Sequence, residues 1–286
     1  MWDFFSSITV CFLNTWIFLK KYLYSAPYKI RYHLYFFIFY FSALIYLLVI
    51  WPVFFLYPKN VKIVKFFIGT FKHITKLYDV KWELRGAEIL AEDRGAVIVS
   101  NHQSTFDVLG LIYIWEVVDK LTMVVKKELL YLMPFGLVAY LAGFIFIDRK
   151  NPERAYYQLQ ATTNVMVKGK TKVWLFPEGT RNRDYTRLLP FKKGAFKMAI
   201  AAQVPIIPVV FSPYYFISKE REFLKNGRIV IQCLEPIATK GLSLDHVEEL
   251  RKQVQDKIAI VYKDLSREVM ANLTPSDYQH TVVGEN

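Results

Sequence analysis

Two patterns of apolar residues divide the chain. From Leu34 to Tyr57 no position carries a formal charge, a run of 24 residues reading LYFFIFYFSALIYLLVIWPVFFLY. Wound as a helix it is about 36 Å long, enough to cross a hydrocarbon core of ~30 Å with some tilt. A shorter apolar segment, Phe4–Leu19, precedes it and contains Ser6, Ser7, Thr9, Asn14 and Thr15. It lacks the basic start and small-residue exit of a secretory leader. Lys20, Lys21, Lys29 and Arg31 lie before the long run, and Lys59, Lys62 and Lys65 after it. With positive charge on both flanks, the positive-inside rule gives no orientation. The two segments read either as a hairpin dipping into one leaflet, both basic clusters on anionic headgroups, or as two crossings.

From about Lys81 the pattern becomes short apolar runs separated by helix-length segments. The runs are Lys81–Arg85, Ala96–Ser100, Leu121–Val125, Phe144–Ile147, Lys172–Phe176, Ile206–Phe211 and Arg228–Leu234. Asn151-Pro152 opens one helix, a capping residue followed by proline in the first turn, with Ala155, Leu159, Val165 and Met166 at helical intervals. Ser243 caps a long C-terminal helix whose expected buried stripe is Val247, Leu250, Val254, Ile258, Val261 and Leu265. Leu129–Ile147, 19 residues without a charge, has the length of a membrane span. Pro134, Gly136 and Gly143 interrupt it, so it reads instead as a buried or membrane-facing helix followed by a strand. The alternation predicts an α/β fold, a mixed sheet flanked by helices, over residues 81–286. Residues 1–80 form a membrane-embedded helical segment in front of it.

Composition sharpens this picture. The chain is 53% hydrophobic and 17% aromatic, and 37 basic residues against 25 acidic ones give a formal charge of +12. The first 80 residues hold nine Lys or Arg and only two acids, Asp3 and Asp79. A basic and apolar protein points to an anionic membrane surface or an anionic substrate. Nucleic acid is not an expected partner: there is no zinc spacing, no helix-turn-helix signature and no basic tail. Cys11 and Cys233 lie in unrelated segments and imply neither a disulfide framework nor a metal site, only reduced thiols. The glycosylation triplet at Asn272 is the kind of short match that arises by chance.

The stretch NHQSTFD, Asn101–Asp107, follows the apolar run Ala96–Ser100. On one continuous helix His102 and Asp107 would point about 140° apart and could not cooperate. If the strand ends near Asn101 and a helix starts near Ser104, the chain turns back and the imidazole and carboxylate can meet. Three further blocks follow: GFIFIDR (Gly143–Arg149), FPEGTR (Phe176–Arg181) and VPIIPV (Val204–Val209).

With these four blocks in this order, the sequence resembles the glycerophospholipid acyltransferases defined by an H-x4-D motif, over roughly Lys81–Glu235. Within that family it is most similar to the 1-acyl-glycerol-3-phosphate acyltransferases, which make phosphatidic acid. The resemblance implies acyl-CoA and lysophosphatidic acid as substrates, a direct transfer without a covalent enzyme intermediate, and no cofactor or metal. It also implies an integral endoplasmic reticulum protein with its catalytic domain on the cytosolic side.

The residues can be read beside that resemblance. A hydroxyl attacks a thioester poorly until a base takes its proton; an imidazole suits the task, and a carboxylate fixes its tautomer. His102 and Asp107 supply that pair. Taken singly, each has an ordinary alternative, a histidine at a strand end and an acid capping the turn from Ser104. Arg149 and Arg181 both follow strands, and their guanidinium forks match phosphate oxygens. Gly179 would let the backbone approach a phosphate closely, and Thr180 can donate a hydroxyl. Glu178 is a poor phosphate ligand by charge and is assigned to orienting an arginine or the substrate hydroxyls. Lys126, Lys127, Lys192 and Lys193 are weaker phosphate candidates, each more often a solvated surface lysine; the resemblance implies that a lysine near Lys126 helps hold the phosphate. Other lysophospholipids or glycerol 3-phosphate are alternative acceptors. A membrane-shaping protein would explain the amino-terminal region but not the four blocks.

Overall fold

The computed structural model describes residues 18, 20–78, 80–148, 162–182, 184–217, 222–224 and 226–271 of the 286. Among the described residues, helical residues 20–25 are followed by α1 (Tyr28–Leu56) and α2 (Val61–Phe71), which lead into the sheet. α1 carries the uncharged run as one 29-residue helix, with Pro52 inside it. It buries Arg31, Tyr35, Phe39, Ile50 and Phe54, while Phe37, Phe41, Val49 and Phe55 are each more than half exposed. The earlier apolar segment, apart from Phe18, lies outside the described residues.

Each of the seven apolar runs forms a strand, and every boundary falls within one residue of the sequence expectation. They are β1 (Val80–Arg85), β2 (Ala96–Ser100), β3 (Leu121–Lys126), β4 (Ile145–Ile147), β5 (Lys172–Leu175), β6 (Ile206–Phe211) and β7 (Gly227–Cys233). They make one sheet in the order β1-β7-β6-β2-β5-β3-β4. Only β6 and β7 pair antiparallel; every other neighbouring pair is parallel. The sheet is therefore mixed, as expected. β2 reads AVIVS and is buried at every position, the unbroken apolar run of a strand covered on both faces. Val97 stands opposite Ile206 on one side and Val173 on the other.

The helices α3 (Ala87–Ala91), α4 (Asp107–Val117), α5 (Phe135–Leu141), α6 (Thr163–Val167), α7 (Gly194–Ala202) and α8 (Val247–Met270) cover the sheet. Gly110 lets α4 lie close: a β-carbon there would collide with the rings of Phe211 and Trp82. The stretch Leu129–Ile147 is no span. A 3₁₀ turn (Lys127–Tyr131) is followed by α5 and then β4, the helix-then-strand reading. Of the helix expected from Asn151-Pro152, residues 149–161 lie outside the described residues; further on, Met166 is buried and Val165 exposed.

Ser243 does cap the C-terminal segment, with a reciprocal capping box to His246 ahead of α8. The expected stripe needs one correction. Tyr262, not Val261, continues it after Ile258, and Val269 extends it. The tyrosine ring packs inward because its hydroxyl donates to Tyr185 O at 2.7 Å, which removes the cost of burying a polar tip. Cys233 is a buried free thiol, pushed up to about 12 by that burial. It is chemically inert at neutral pH.

Candidate active site

The sheet order decides what meets. β2 and β5 are far apart in sequence but adjacent and parallel in the sheet, so the segments that leave their carboxyl ends lie side by side. In open α/β sheets this edge is where ligands bind. NHQSTFD leaves β2 there and FPEGTR leaves β5.

Beyond β2 the chain keeps its strand-like alternation for three residues. Asn101 and Gln103 turn into the protein, 1% and 8% exposed, and His102 between them faces the other way. Asn101 exchanges two hydrogen bonds with Phe211, its amide donating to O at 2.9 Å and its oxygen accepting from N at 2.8 Å. Gln103 donates to Ser212 O at 2.9 Å and accepts from Tyr214 N at 3.1 Å. These side chains fasten the loop to the end of β6. The N-H-Q pattern held the signal for this, since polar residues two apart after a buried strand share its inner face.

The chain then turns, and α4 begins at Asp107, later than the start expected near Ser104. His102 Nδ1 lies 2.5 Å from Asp107 Oδ2. The same carboxylate accepts from the Gln103 and Ser104 backbone N–H groups at 2.9 and 3.2 Å. Asp107 thus caps the turn and meets the imidazole at once; the ordinary and the chemical readings describe one arrangement. The carboxylate is 1% exposed, while the imidazole is 23% exposed. The ring of His102 stacks on Phe176, centroids 4.0 Å apart and planes 14° from parallel. With Nδ1 engaged by Asp107, Nε2 is the ring nitrogen that can act as a base.

The turn after β5 is bound to this loop. Asn182 N–H donates to His102 O at 2.7 Å. Among the described residues Glu178 pairs with main-chain donors and not with an arginine. Its side chain is buried, and its carboxylate accepts from the backbone N–H of His102 at 2.8 Å and of Leu189 at 3.2 Å. Desolvation pushes its carboxyl up to about 7, against the opposing pull of those two N–H donors. A buried acid that takes main-chain donors fixes a loop.

Gly179 has φ +72, and a β-carbon there would sit 2.9 Å from Lys192 Cε and Nζ. Glycine suits the left-handed backbone; the flexible end of the lysine can move aside. Lys192, a weaker phosphate candidate from the sequence, lies beside this turn, whereas Lys193 pairs with Glu248 at 3.0 Å. Thr180 and Arg181 are exposed. Arg181 Nη1 donates to Thr105 Oγ1 at 2.5 Å, which puts the guanidinium against the His102–Asp107 turn. Lys126 is exposed at the carboxyl end of β3, on the same sheet edge. Lys127 instead lies 3.5 Å from Asp148. Arg149 is outside the described residues.

The Acyltransferase family profile matches residues 81–212, which holds the whole of this edge. 1-acyl-sn-glycerol-3-phosphate acyltransferase beta from Homo sapiens is 42% identical over 193 residues, 67% of each chain. The protein acl-2 from Caenorhabditis elegans is 37% identical over 266 residues, 92% of each chain. The crystal structure of the 1-acyl-sn-glycerophosphate acyltransferase PlsC from Thermotoga maritima is similar with a TM-score of 0.64 and 27% identity, covering 83% of this chain and 98% of that one. The chain belongs to the acyltransferase family, among the 1-acyl-sn-glycerol-3-phosphate acyltransferases.

Proposed function

We infer that this acyltransferase moves an acyl group from acyl-CoA to the 2-hydroxyl of 1-acyl-glycerol 3-phosphate, giving phosphatidic acid and CoA. The observation that carries the mechanism is the half-open His102, tied at Nδ1 to Asp107 and bordered by the turn of Arg181. Nε2 takes the proton of the acceptor hydroxyl as its oxygen attacks the thioester carbonyl. Asp107 holds the tautomer and stabilises the imidazolium. The carbon–sulfur bond breaks, and the proton passes from Nε2 to the departing CoA sulfur. Arg181, with Gly179, Thr180 and Lys126 on the same edge, receives the acceptor's phosphate. Arg149, two residues past β4, is assigned to that phosphate from its sequence position. No cofactor is called for, since the imidazole handles the proton and the guanidinium groups the charge.

The amphiphilic substrate comes from the bilayer. Residues 1–80 serve as the anchor and 81–286 as the catalytic unit, in the endoplasmic reticulum membrane, with the site on the cytosolic side where acyl-CoA is found. The exposed Tyr131, Leu132 and Met133, ahead of α5, give a second apolar contact with lipid.

The test is a mass-spectrometric assay of the purified protein with acyl-CoA and a panel of lysolipids. Phosphatidic acid formation should dominate. His102→Ala should lower kcat by about 10²–10⁴-fold with the fold intact, and Asp107→Asn nearly as much. More than about a tenth of wild-type turnover in His102→Ala would sink the general-base assignment.

A further inference from the structure

The anchoring helix reaches the catalytic turn directly. Phe106, the residue before Asp107, is fully buried. Its ring packs against Phe36 and Phe39 of α1 with centroids 4.8 and 5.8 Å away. One residue further along α1, the hydroxyl of Tyr40 donates to Thr105 Oγ1 at 3.2 Å. That oxygen also accepts from Arg181 Nη1 at 2.5 Å. A hydroxyl oxygen has two acceptor positions, so both donors are served together.

The chemistry of arginine gives this chain of contacts a purpose. Arg181 is exposed, and a free guanidinium on a long stem samples many rotamers, which must be given up on binding. Thr105 occupies one N–H of the five and fixes the plane of the group. The other edge keeps enough donors for a bidentate grip on a phosphate. Thr105 can do this only if its own turn is held still, and Phe106 and Tyr40 tie that turn to α1. We propose that Thr105 and Tyr40 are positioning residues for Arg181, so that the anchoring helix takes part in recognising the acceptor's phosphate. Seating α1 and gripping the lipid phosphate are then one structural event.

This rests on the reading of Arg181 as a phosphate ligand, and the experiment separates the two. Full-length enzyme in mixed micelles is assayed with lysophosphatidic acid and an acyl-CoA, varying each in turn. Thr105→Val, which keeps shape but not the acceptor oxygen, should raise KM for lysophosphatidic acid by about tenfold, with KM for acyl-CoA and the melting temperature unmoved. Thr105→Ser should restore the acceptor KM to within about twofold, and Tyr40→Phe should raise it by about two- to threefold. In an Arg181→Ala background, Thr105→Val should add nothing, because the group it positions is gone. An unchanged KM in Thr105→Val, or an undiminished effect in the double variant, would overturn the positioning role while leaving the phosphate reading intact. An Arg181→Ala enzyme with unchanged acceptor KM would overturn both.

Discussion

The two longest helices, α1 and α8, make opposite use of similar lengths. α8 has 24 residues, buries the stripe from Val247 to Val269 against the sheet, and is polar on its outer side. α1 has 29 residues, is apolar all round from Leu34 onwards, and buries only five of them. The protein's own core accounts for α8; it leaves most of α1 without a partner. A helix apolar on every face needs an apolar surround on every face, and for α1 lipid would supply it. Yet both helices reach the active-site edge. α8 holds the segment after β5 through Tyr262 on Tyr185 O and through Gln255, which accepts from Phe191 N at 3.1 Å. α1 holds the turn after β2 through Phe36, Phe39 and Tyr40. The site is braced from a core-facing side and from the side of the largely exposed α1.

The largest expected effect comes from placing the same charge in each helix. Val254 is fully buried in α8, and Val254→Asp should abolish recovery of folded protein, since an unpaired carboxylate would replace a core methyl pair. Ile45 on α1 is 47% exposed. Ile45→Asp should leave the catalytic unit folded and instead weaken membrane retention by about 2.5–3.5 kcal/mol. Carbonate extraction and circular dichroism of both variants check this. A misfolded Ile45→Asp with normal membrane retention would erase the contrast.

A smaller effect is expected where α1 behaves like a core helix. Arg31 is 1% exposed and donates to the carbonyls of Leu23, Tyr24, Ala26 and Phe223 at 2.6–3.2 Å. It ties α1 to the chain before it and to the β6–β7 connection. Arg31→Ala should cost about 1–3 kcal/mol through carbonyls left without donors, read as a lower melting temperature. Lysine, which lacks the fork, should restore little of it. Full stability in Arg31→Ala would mean that water or lipid satisfies those carbonyls.

A pH-dependent effect concerns the loop that α8 steadies. Glu178 titrates near about 7 in the folded protein, raised by burial, whereas an ordinary glutamate does so near ~4.3. Between those values the native state holds a proton that the unfolded chain has released. Stability should therefore fall as pH rises through that window and level off above it. Glu178→Gln should flatten this part of the curve of melting temperature against pH. A wild-type curve that rises across the same window, with the variant unchanged from it, would contradict the burial argument.

How much of this was legible in the chain depends on the range of the interaction. The strands were readable because β2 and β6 are short apolar runs with turn residues beside them. The His102–Asp107 meeting was readable because a strand end and a helix start leave only a turn between. The loop contacts of Glu178 were not legible because a sequence does not say whether a carboxylate faces solvent or the main chain of a loop 76 residues away. Tyr262 replaced Val261 in the stripe because a distant carbonyl made the tyrosine the better inward residue. The contact of Tyr40 with Thr105 was not legible for the same reason: 65 residues separate them, one in the uncharged run and the other inside NHQSTFD. Periodicity reports which face is apolar, not which two faces will touch.

The stacking of His102 on Phe176 has a consequence for the timing of catalysis. One face of the imidazole is covered, and Nδ1 is engaged by Asp107. In the transfer proposed above, a proton collected at the remaining edge departs through that same edge, as through a room with a single door, so the sulfur that receives it lies close to where the hydroxyl entered. Because that transfer is direct, both substrates have to be aboard together, and initial-rate plots against either one should intersect, not run parallel.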